Sequence, residues 1–299
     1  MARPDPLLAV AFLLSACTAM TEHRDPPEVH GHRGCRGLLP ENTVPAFLKA
    51  AELGCDWIEM DVVASGDGQL VVSHEPWMSH RICLDANGDS IPAEHERLLN
   101  IHAMSAADLV QFDCGSRPHP DFPQQERVAV SKPLLSHAVR TIEEHVISEG
   151  LRTMSYNIEV KSDPDWYGRF QPHPEAYATL VVNTIDSLGI NDRCLLQSFD
   201  PAMLEALHAL DPDLDLALLV ENNDDVATNL GRLSFTPAAY SPWFGVVDDA
   251  LVRHLRERDI QLVVWTVNQE NDMQRMIDLG VDGIITDHPD RLLRLLERE

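Results

Sequence analysis

From Val29 to Leu296, short β-branched runs alternate with amphipathic stretches, and this alternation is what most constrains the fold. Strand and helix periods that take turns along a chain predict βα units, with helices covering the faces of a parallel sheet. The expected strands are Val29–Arg33, Asp56–Ala64, Met154–Val160, Cys194–Phe199, Leu214–Val220, a segment around Ala239–Ser241, Leu262–Val267 and Gly283–Thr286. The expected helices cover Asn42–Leu53, Leu135–Glu149, Pro174–Leu188, Ala202–Leu210, a short piece near Asp225–Leu230, Asp248–Arg258, Asn271–Leu279 and Pro289–Leu296. Eight such strands in a chain of 299 residues fit a (β/α)8 TIM barrel, an α/β fold of about 250 residues. A doubly wound open sheet competes with it, but no GxGxxG follows the first strand. After the second strand, Asp67-Gly68 turns the chain into Gln69–Ser73, and from Pro76 to about Lys132 the periodicity lapses. That His-, Asp- and Pro-rich segment reads as an insertion over the barrel mouth.

The second strand carries the densest chemistry. Side chains on a strand alternate faces, so Glu59 and Asp61 share one. A Glu-x-Asp on a strand is often just a solvated face. Here Trp57-Ile58 and Val62-Val63 make the run apolar on both sides, as in a buried parallel strand. Carboxylates in such a place need a partner, and paired carboxylates suit a hard divalent cation such as Ca²⁺ or Mg²⁺. In a barrel, polar residues at the C-terminal ends of strands meet at one mouth. These would be His32 and Arg33, Glu59 and Asp61, Glu159 and Lys161, Ser198, Glu221, Trp265 with Asn268, and Asp287, joined by His74 from the hairpin. In Asn157-Ile158-Glu159-Val160-Lys161, period two sets Asn157, Glu159 and Lys161 on one face. A third carboxylate with a lysine beside it completes a plausible metal and anion site.

The formal net charge of −25 argues against a nucleic-acid partner, whose phosphates are bound through Lys and Arg. Lysine is confined to Lys49, Lys132 and Lys161, so an anionic substrate needs a local positive site. At the N-terminus, Pro6–Ala16 is an apolar run of signal-peptide length, too short to span a bilayer. It ends in Leu14-Ser15-Ala16-Cys17, which resembles a bacterial lipobox, although Asp5 opposes the single n-region charge of Arg3. An ordinary cleavable leader with a chance Cys is the alternative. The expected organisation is a leader over 1–17 ending at a lipidated Cys17, a polar tether over 18–28, and one domain over 29–299. It implies anchoring to a bacterial membrane on the periplasmic side, with outer-membrane sorting read from Thr18, or else secretion to the periplasm. Of the remaining cysteines, Cys83 and Cys114 fall in the insertion and are the expected bridge.

Taken together, the HRG of His32–Gly34, PENT of Pro40–Thr43, ExD of Glu59–Asp61, DGxLVVxH of Asp67–His74 and NIEVK of Asn157–Lys161 resemble the glycerophosphodiester phosphodiesterases. The SF of Ser198-Phe199, WTVN of Trp265–Asn268 and GIITDHP of Gly283–Pro289 extend the resemblance to nearly the whole domain. The resemblance implies a (β/α)8 barrel that hydrolyses glycerophosphodiesters to glycerol 3-phosphate and an alcohol, with one divalent metal ion, Ca²⁺ or Mg²⁺. It implies His32 and His74 as the acid/base pair, Glu59, Asp61 and Glu159 as metal ligands, and Arg33 and Lys161 as phosphate contacts. Ser198, Phe199 and Trp265 join the substrate-binding set, and Arg33 also counts among the catalytic residues. Which histidine is the base, and whether water or a neighbouring glycerol hydroxyl attacks, stay open. Where the family usually has HD, this chain has His74-Glu75, which bears on how the imidazole is oriented.

Two other readings stand beside this one. His30-x-His32 with Asp287 resembles the metal-binding strands of amidohydrolase-type barrels, although Gln197-Ser198 and Glu221 stand where further histidines belong. His30 reads more simply as a packed strand residue. A lipoprotein that binds a phosphorylated polyol without turnover is the non-enzymatic reading. Trp77, Phe112 and Trp166 are candidates for an alcohol pocket or for packing, and His80, His95, His102, His119 and His137 read as surface residues. The oligomeric state is not legible.

Overall fold

The computed structural model describes residues 25–298, so the leader and most of the tether lie outside the described residues. In chain order the elements are β1 (Glu28–Gly31), α1 (Val44–Leu53), β2 (Trp57–Ala64), β3 (Leu70–Val72), α2 (Ala106–Leu109), α3 (Leu135–Glu149), β4 (Ser155–Val160) and α4 (Pro174–Leu188). They continue with β5 (Cys194–Ser198), α5 (Pro201–Leu210), β6 (Asp215–Val220), α6 (Val226–Leu230), β7 (Ala239–Pro242), α7 (Asp249–Arg256), β8 (Gln261–Val264), α8 (Glu270–Leu279), β9 (Gly283–Thr286) and α9 (Pro289–Leu295). Eight parallel strands run β1-β2-β4-β5-β6-β7-β8-β9, and β9 pairs back onto β1 to close a TIM barrel. The ninth strand, β3, pairs antiparallel with β2 and carries the chain away from the barrel wall.

The core has two layers. Between sheet and helices, residues such as Phe47, Ile58, Met60, Tyr156, Ile158 and Tyr177 are fully buried. Inside the barrel, Leu195, Ala217, Ala239, Val263 and Ile285 fill the lower lumen from alternate positions on successive strands. Period two then fixes what stands above them. On β2 and β4 the lumen face carries Glu59 opposite Asn157 and Asp61 opposite Glu159, in strict register. The insertion builds a satellite core of its own around Met78, Ile82, Ile91, Ile101 and Leu109, and the Cys83–Cys114 bridge runs through it. Trp77 packs edge-on against Trp166 and Phe170, and Phe112 packs against the satellite core, so these aromatics serve packing.

The first strand is shorter than expected. β1 ends at Gly31, and His32 makes one last ladder bond to the Thr286 carbonyl before the chain turns. Arg33 then adopts φ +49°, which no strand residue can hold. The turn is packed so closely that a Cβ on Gly31 would lie 2.2 Å from the Gly34 carbonyl oxygen. Gly34 itself sits at φ +86° against the Ala46 backbone, so both positions exclude a side chain. At the other end the domain starts one residue early, because Glu28 already pairs with β9. Among the described residues no helix is long and apolar enough to cross a membrane.

At the bottom of the barrel Asp56 ties the chain ends together. Its carboxylate accepts hydrogen bonds from the Val29 amide at 2.8 Å, from Arg298 at 2.7 and 2.8 Å, and from Arg152. Burial pushes the Asp56 carboxyl up, but the donors from Arg298, Val29 and Arg152 outweigh it and hold it below the usual range. A depressed folded pKa stabilises the fold above the ordinary carboxylate pKa of about 3.9, and that contribution is lost as pH falls through the folded value. Asp56→Asn is therefore expected to lower the unfolding free energy by about 1–3 kcal/mol at neutral pH. In urea titrations the gap from the parent protein should close below about pH 4.

Candidate active site

The mouth of the barrel holds a cavity of about 310 Å³ lined by His32, Arg33, Glu59, His74, Glu159 and Lys161 on one side. Gln197, Phe199, Leu219, Glu221, Trp265 and Ile285 close the other side. The lining follows the strand alternation. β5 aims Gln197 into the lumen and Phe199 follows on the same face, so Ser198 points away. Ser198 is fully buried and donates to the Val160 carbonyl at 2.9 Å, which keeps it out of the cavity it was expected to line. Phe199 and Trp265 meet edge-to-face at 5.5 Å and form an apolar wall.

Glu59, Asp61 and Glu159 stand with one carboxylate oxygen each within 4.8 Å of the others, all three buried. Glu59 accepts from the Arg33 amide at 2.7 Å, and Gln197 lies 3.4 Å from its other oxygen. Asp61 accepts from Asn42 Nδ2 at 2.8 Å and donates its own amide to Asn42 Oδ1, while its Oδ1 has no hydrogen-bond partner. Glu159 accepts from Lys161 Nζ at 2.5 Å. Burial, with Asp61 and Glu159 close by, pushes the Glu59 carboxyl well above the usual range. Burial also raises Glu159, against the pull of Lys161. Burial opposes the Asp61 charge too, but Arg33, His74 and Lys161 hold that carboxyl low. Three buried carboxylates thus carry more negative charge than their neighbours compensate, with an orphaned oxygen among them. Hard oxygen donors so arranged fit a divalent cation.

Each histidine of the mouth is backed by a carboxylate. His32 Nδ1 lies 2.6 Å from Asp287 Oδ1, and its Nε2 faces the cavity 3.9 Å from Glu59. Burial draws the His32 pKa down to about 4 against the raising effect of Asp287, so the ring is neutral near pH 7. Asp287 is ionised, so Nδ1 carries the proton it accepts and Nε2 is left bare. His74 Nδ1 lies 3.0 Å from Glu75 Oε1, so the residue that replaces the usual Asp still orients the ring. Asp287 also receives Arg36 through both oxygens, at 2.8 and 3.0 Å, and Asn268 at 2.7 Å. It is thereby turned away from the carboxylate trio, unlike the terminal ligand of an amidohydrolase-type site. His30 is stacked on Trp57 at 5.2 Å and sits in the packed interior.

Several residues here lie beyond the sequence reading. Arg33 Nη1 donates to Glu41 Oε1 at 2.6 Å, and its Nε is 3.2 Å from Asp61 Oδ2 without a hydrogen bond. Burial works against the Glu41 charge, but Arg33, His119 and Arg36 hold its carboxyl well below the usual range. Glu41 and Asn42 belong to the PENT stretch, whose spacing after HRG was the available signal. Arg36 lines the cavity beside them. His119, expected at the surface, is buried with Nε2 at 3.2 Å from Glu41 Oε2, because the insertion folds down onto the loop after β1.

The glycerophosphoryl diester phosphodiesterase family model matches residues 32–291. A glycerophosphodiester phosphodiesterase of Caldanaerobacter subterraneus subsp. tengcongensis is 28% identical over 272 residues, 90% of this chain and 98% of that protein. A crystal structure from Silicibacter pomeroyi, assigned to the glycerophosphoryl diester phosphodiesterases, superposes with a TM-score of 0.81 at 26% identity, over 92% of this chain and 94% of the other. An Oleispira antarctica phosphodiesterase, solved with its product sn-glycerol 3-phosphate, shares the fold at a TM-score of 0.71 and 23% identity, over 91% and 97% of the two chains. The match begins at the first mouth histidine and ends inside the last helix, and the chain accordingly belongs to the glycerophosphoryl diester phosphodiesterase family and hydrolyses glycerophosphodiesters.

Proposed function

We propose that this enzyme is a metal-dependent phosphodiesterase that releases glycerol 3-phosphate and an alcohol by acid/base catalysis from His32 and His74. The observation that carries this reading is the pair of carboxylate-backed imidazoles facing one cavity across three under-compensated carboxylates. Glu59, Asp61 and Glu159 would hold a Ca²⁺ or Mg²⁺ ion. When bound, such an ion supplies Lewis-acid stabilisation of charge on the phosphoryl oxygens.

The chain's own groups supply the rest. His32 presents a bare Nε2 to the cavity, because Asp287 fixes the proton on Nδ1, and this suits it to accept the proton of the attacking hydroxyl. His74 is the more open ring and gives a proton to the departing alkoxide oxygen, its position set by Glu75. Arg33 and Lys161 place fixed cations beside the cavity, where they favour the charge that develops in the transition state. Phe199 and Trp265 offer the apolar wall against which the glycerol or alcohol carbon skeleton rests. A binding protein without turnover needs neither the second imidazole nor the two backing carboxylates. The lipobox-like Leu14–Cys17 supports a further proposal, that the mature protein is tethered through an acylated Cys17 to the periplasmic side of a bacterial membrane. Incorporation of labelled palmitate that disappears in Cys17→Ala would establish the anchor, and unlabelled parent protein would refute it.

Release of glycerol 3-phosphate from glycerophosphodiesters should cease in EDTA and return with added Ca²⁺ or Mg²⁺; turnover indifferent to chelation would sink the metal assignment. His32→Ala and His74→Ala should each lower kcat by about 10²- to 10⁴-fold while calorimetric metal affinity persists. Glu59→Gln should instead raise the metal concentration needed for half-maximal rate. Asp287→Asn removes the carboxylate that raises the His32 pKa and fixes its tautomer. Its His32 ring should titrate lower than the parent's in ring-nitrogen NMR, and kcat should fall by about 10- to 100-fold.

A further inference from the structure

We infer that His119, supplied by the insertion, is a positioning residue that sets where the Arg33 guanidinium stands in the active site. This rests on the reading of Arg33 as a phosphate contact and adds a component to that site. His119 touches no reacting atom. It acts through Glu41.

The insertion is seated on the loop between β1 and α1 by independent contacts. Gln125 Nε2 donates to the Arg36 carbonyl at 2.7 Å, the Glu126 amide donates to the Leu38 carbonyl at 2.9 Å, and the Arg36 guanidinium lies over the Phe122 ring at 5.0 Å. His119 comes down within this seat, 7% exposed, with its ring against Phe122. The Asp121 amide donates to His119 Nδ1 at 3.1 Å, so Nδ1 must be bare and the ring proton must sit on Nε2. That proton is aimed at Glu41 Oε2, 3.2 Å away.

Glu41 is therefore held from two sides, by His119 on Oε2 and by Arg33 on Oε1. The next group near Oε2 is Arg36 Nη1 at 3.7 Å, beyond hydrogen-bond distance. Arg33 is in turn suspended between Glu41 and Asp61, 2.6 Å from one and 3.2 Å from the other. Its place is a balance between two buried carboxylates. Without the His119 donor, Glu41 Oε2 is a buried acceptor left unpaired, and it regains a partner only by turning toward Arg36. That turn takes Oε1 away from Arg33, which then moves toward Asp61 and out of the position facing the cavity. Loss of a hydrogen bond outside the reacting shell is in this way transmitted to the phosphate-binding group.

The test compares the full chain with His119→Gln, His119→Asn and His119→Leu. Gln reaches the Nε2 position and donates to Glu41, whereas Asn reaches only the Nδ1 position and keeps the bond to the Asp121 amide. The expected result is that Asn and Leu raise KM for a glycerophosphodiester by about tenfold, the size of one charge-assisted hydrogen bond, while Gln stays within about threefold of the parent. The Arg33 side-chain NMR signal should move in Asn and Leu and return in Gln, a readout that needs no turnover. Parental KM and an unmoved Arg33 signal in Asn would overturn the inference, and so would a Gln variant as impaired as Asn. If Leu does not fold, the Gln and Asn pair decides alone. A parent enzyme without turnover would count against the diesterase reading, and the Arg33 signal would still decide the role of His119.

Discussion

Three carboxylates buried within 4.8 Å of one another are the constraint around which the mouth of this barrel is built. Unscreened like charges at that distance in a low-dielectric place cannot all persist without a positive partner. The fold answers with Arg33, Lys161 and the Asn42 amide around Asp61 and Glu159, and this still leaves Glu59 pushed toward its protonated form and one oxygen of Asp61 unpaired. A site so arranged stores a demand for a cation. The proposed divalent ion meets it, and the same demand explains why Arg33 and Lys161 are each held between carboxylates.

The clamping is done by backbone geometry as much as by side chains. Arg33 at φ +49° and Asn42 at φ +57° both occupy the left-handed region that non-glycine residues rarely adopt, and both sit in the loop that closes over the trio. The unusual φ at Arg33 lets its amide reach Glu59 while its side chain turns to Glu41. The one at Asn42 lets a single side chain both donate to and accept from Asp61. The Asn42 amide also bonds to the Arg33 carbonyl, so the two strained residues hold each other. Strain of this kind persists where surrounding contacts over-determine the backbone, which here means Gly31 and Gly34 packed without room for a Cβ.

The barrel was legible because it rests on periodicity, which is a local property. α3, α4 and β9 carry the bounds read from the alternation alone, and the shared faces of Glu59 with Asp61 and Asn157 with Glu159 follow from period two. The Cys83–Cys114 bridge was legible because both cysteines fall in one insertion. Other features depend on what a local pattern cannot hold. Ser198 was expected in the cavity by its place at a strand end, yet the phase of β5 points Gln197 and Phe199 there. Asp287 as the partner of His32 requires β9 to close beside β1, a contact across 255 positions of chain. His119 and Glu41, 78 positions apart, meet only because an aperiodic segment folds back. Histidine in such a segment looks like a surface residue until its backbone path is known.

The strongly acidic surface of this enzyme needs to be reconciled with an anionic substrate. Its net charge of −25 would repel a phosphodiester if the field acted at long range. At physiological salt the Debye length is about 8 Å, so exposed carboxylates elsewhere on the barrel are screened from a ligand already in the mouth. What such a ligand meets is local: Arg33, Arg36, Lys161 and the two histidines line one cavity, and among them only Glu59, Glu159 and Glu221 bring negative charge. Glu159 is spoken for by Lys161, and Glu59 is raised toward neutrality. The cations of the mouth are thus matched by its acids, Arg33 by Glu41, Arg36 by Asp287 and Lys161 by Glu159. The charge left over is the carboxylate trio's demand for a cation, which the proposed divalent ion would turn toward the phosphate. Screening acts alike on an anion that arrives and one that leaves, so both capture and release are decided by contacts within the mouth and not by the net charge of the chain.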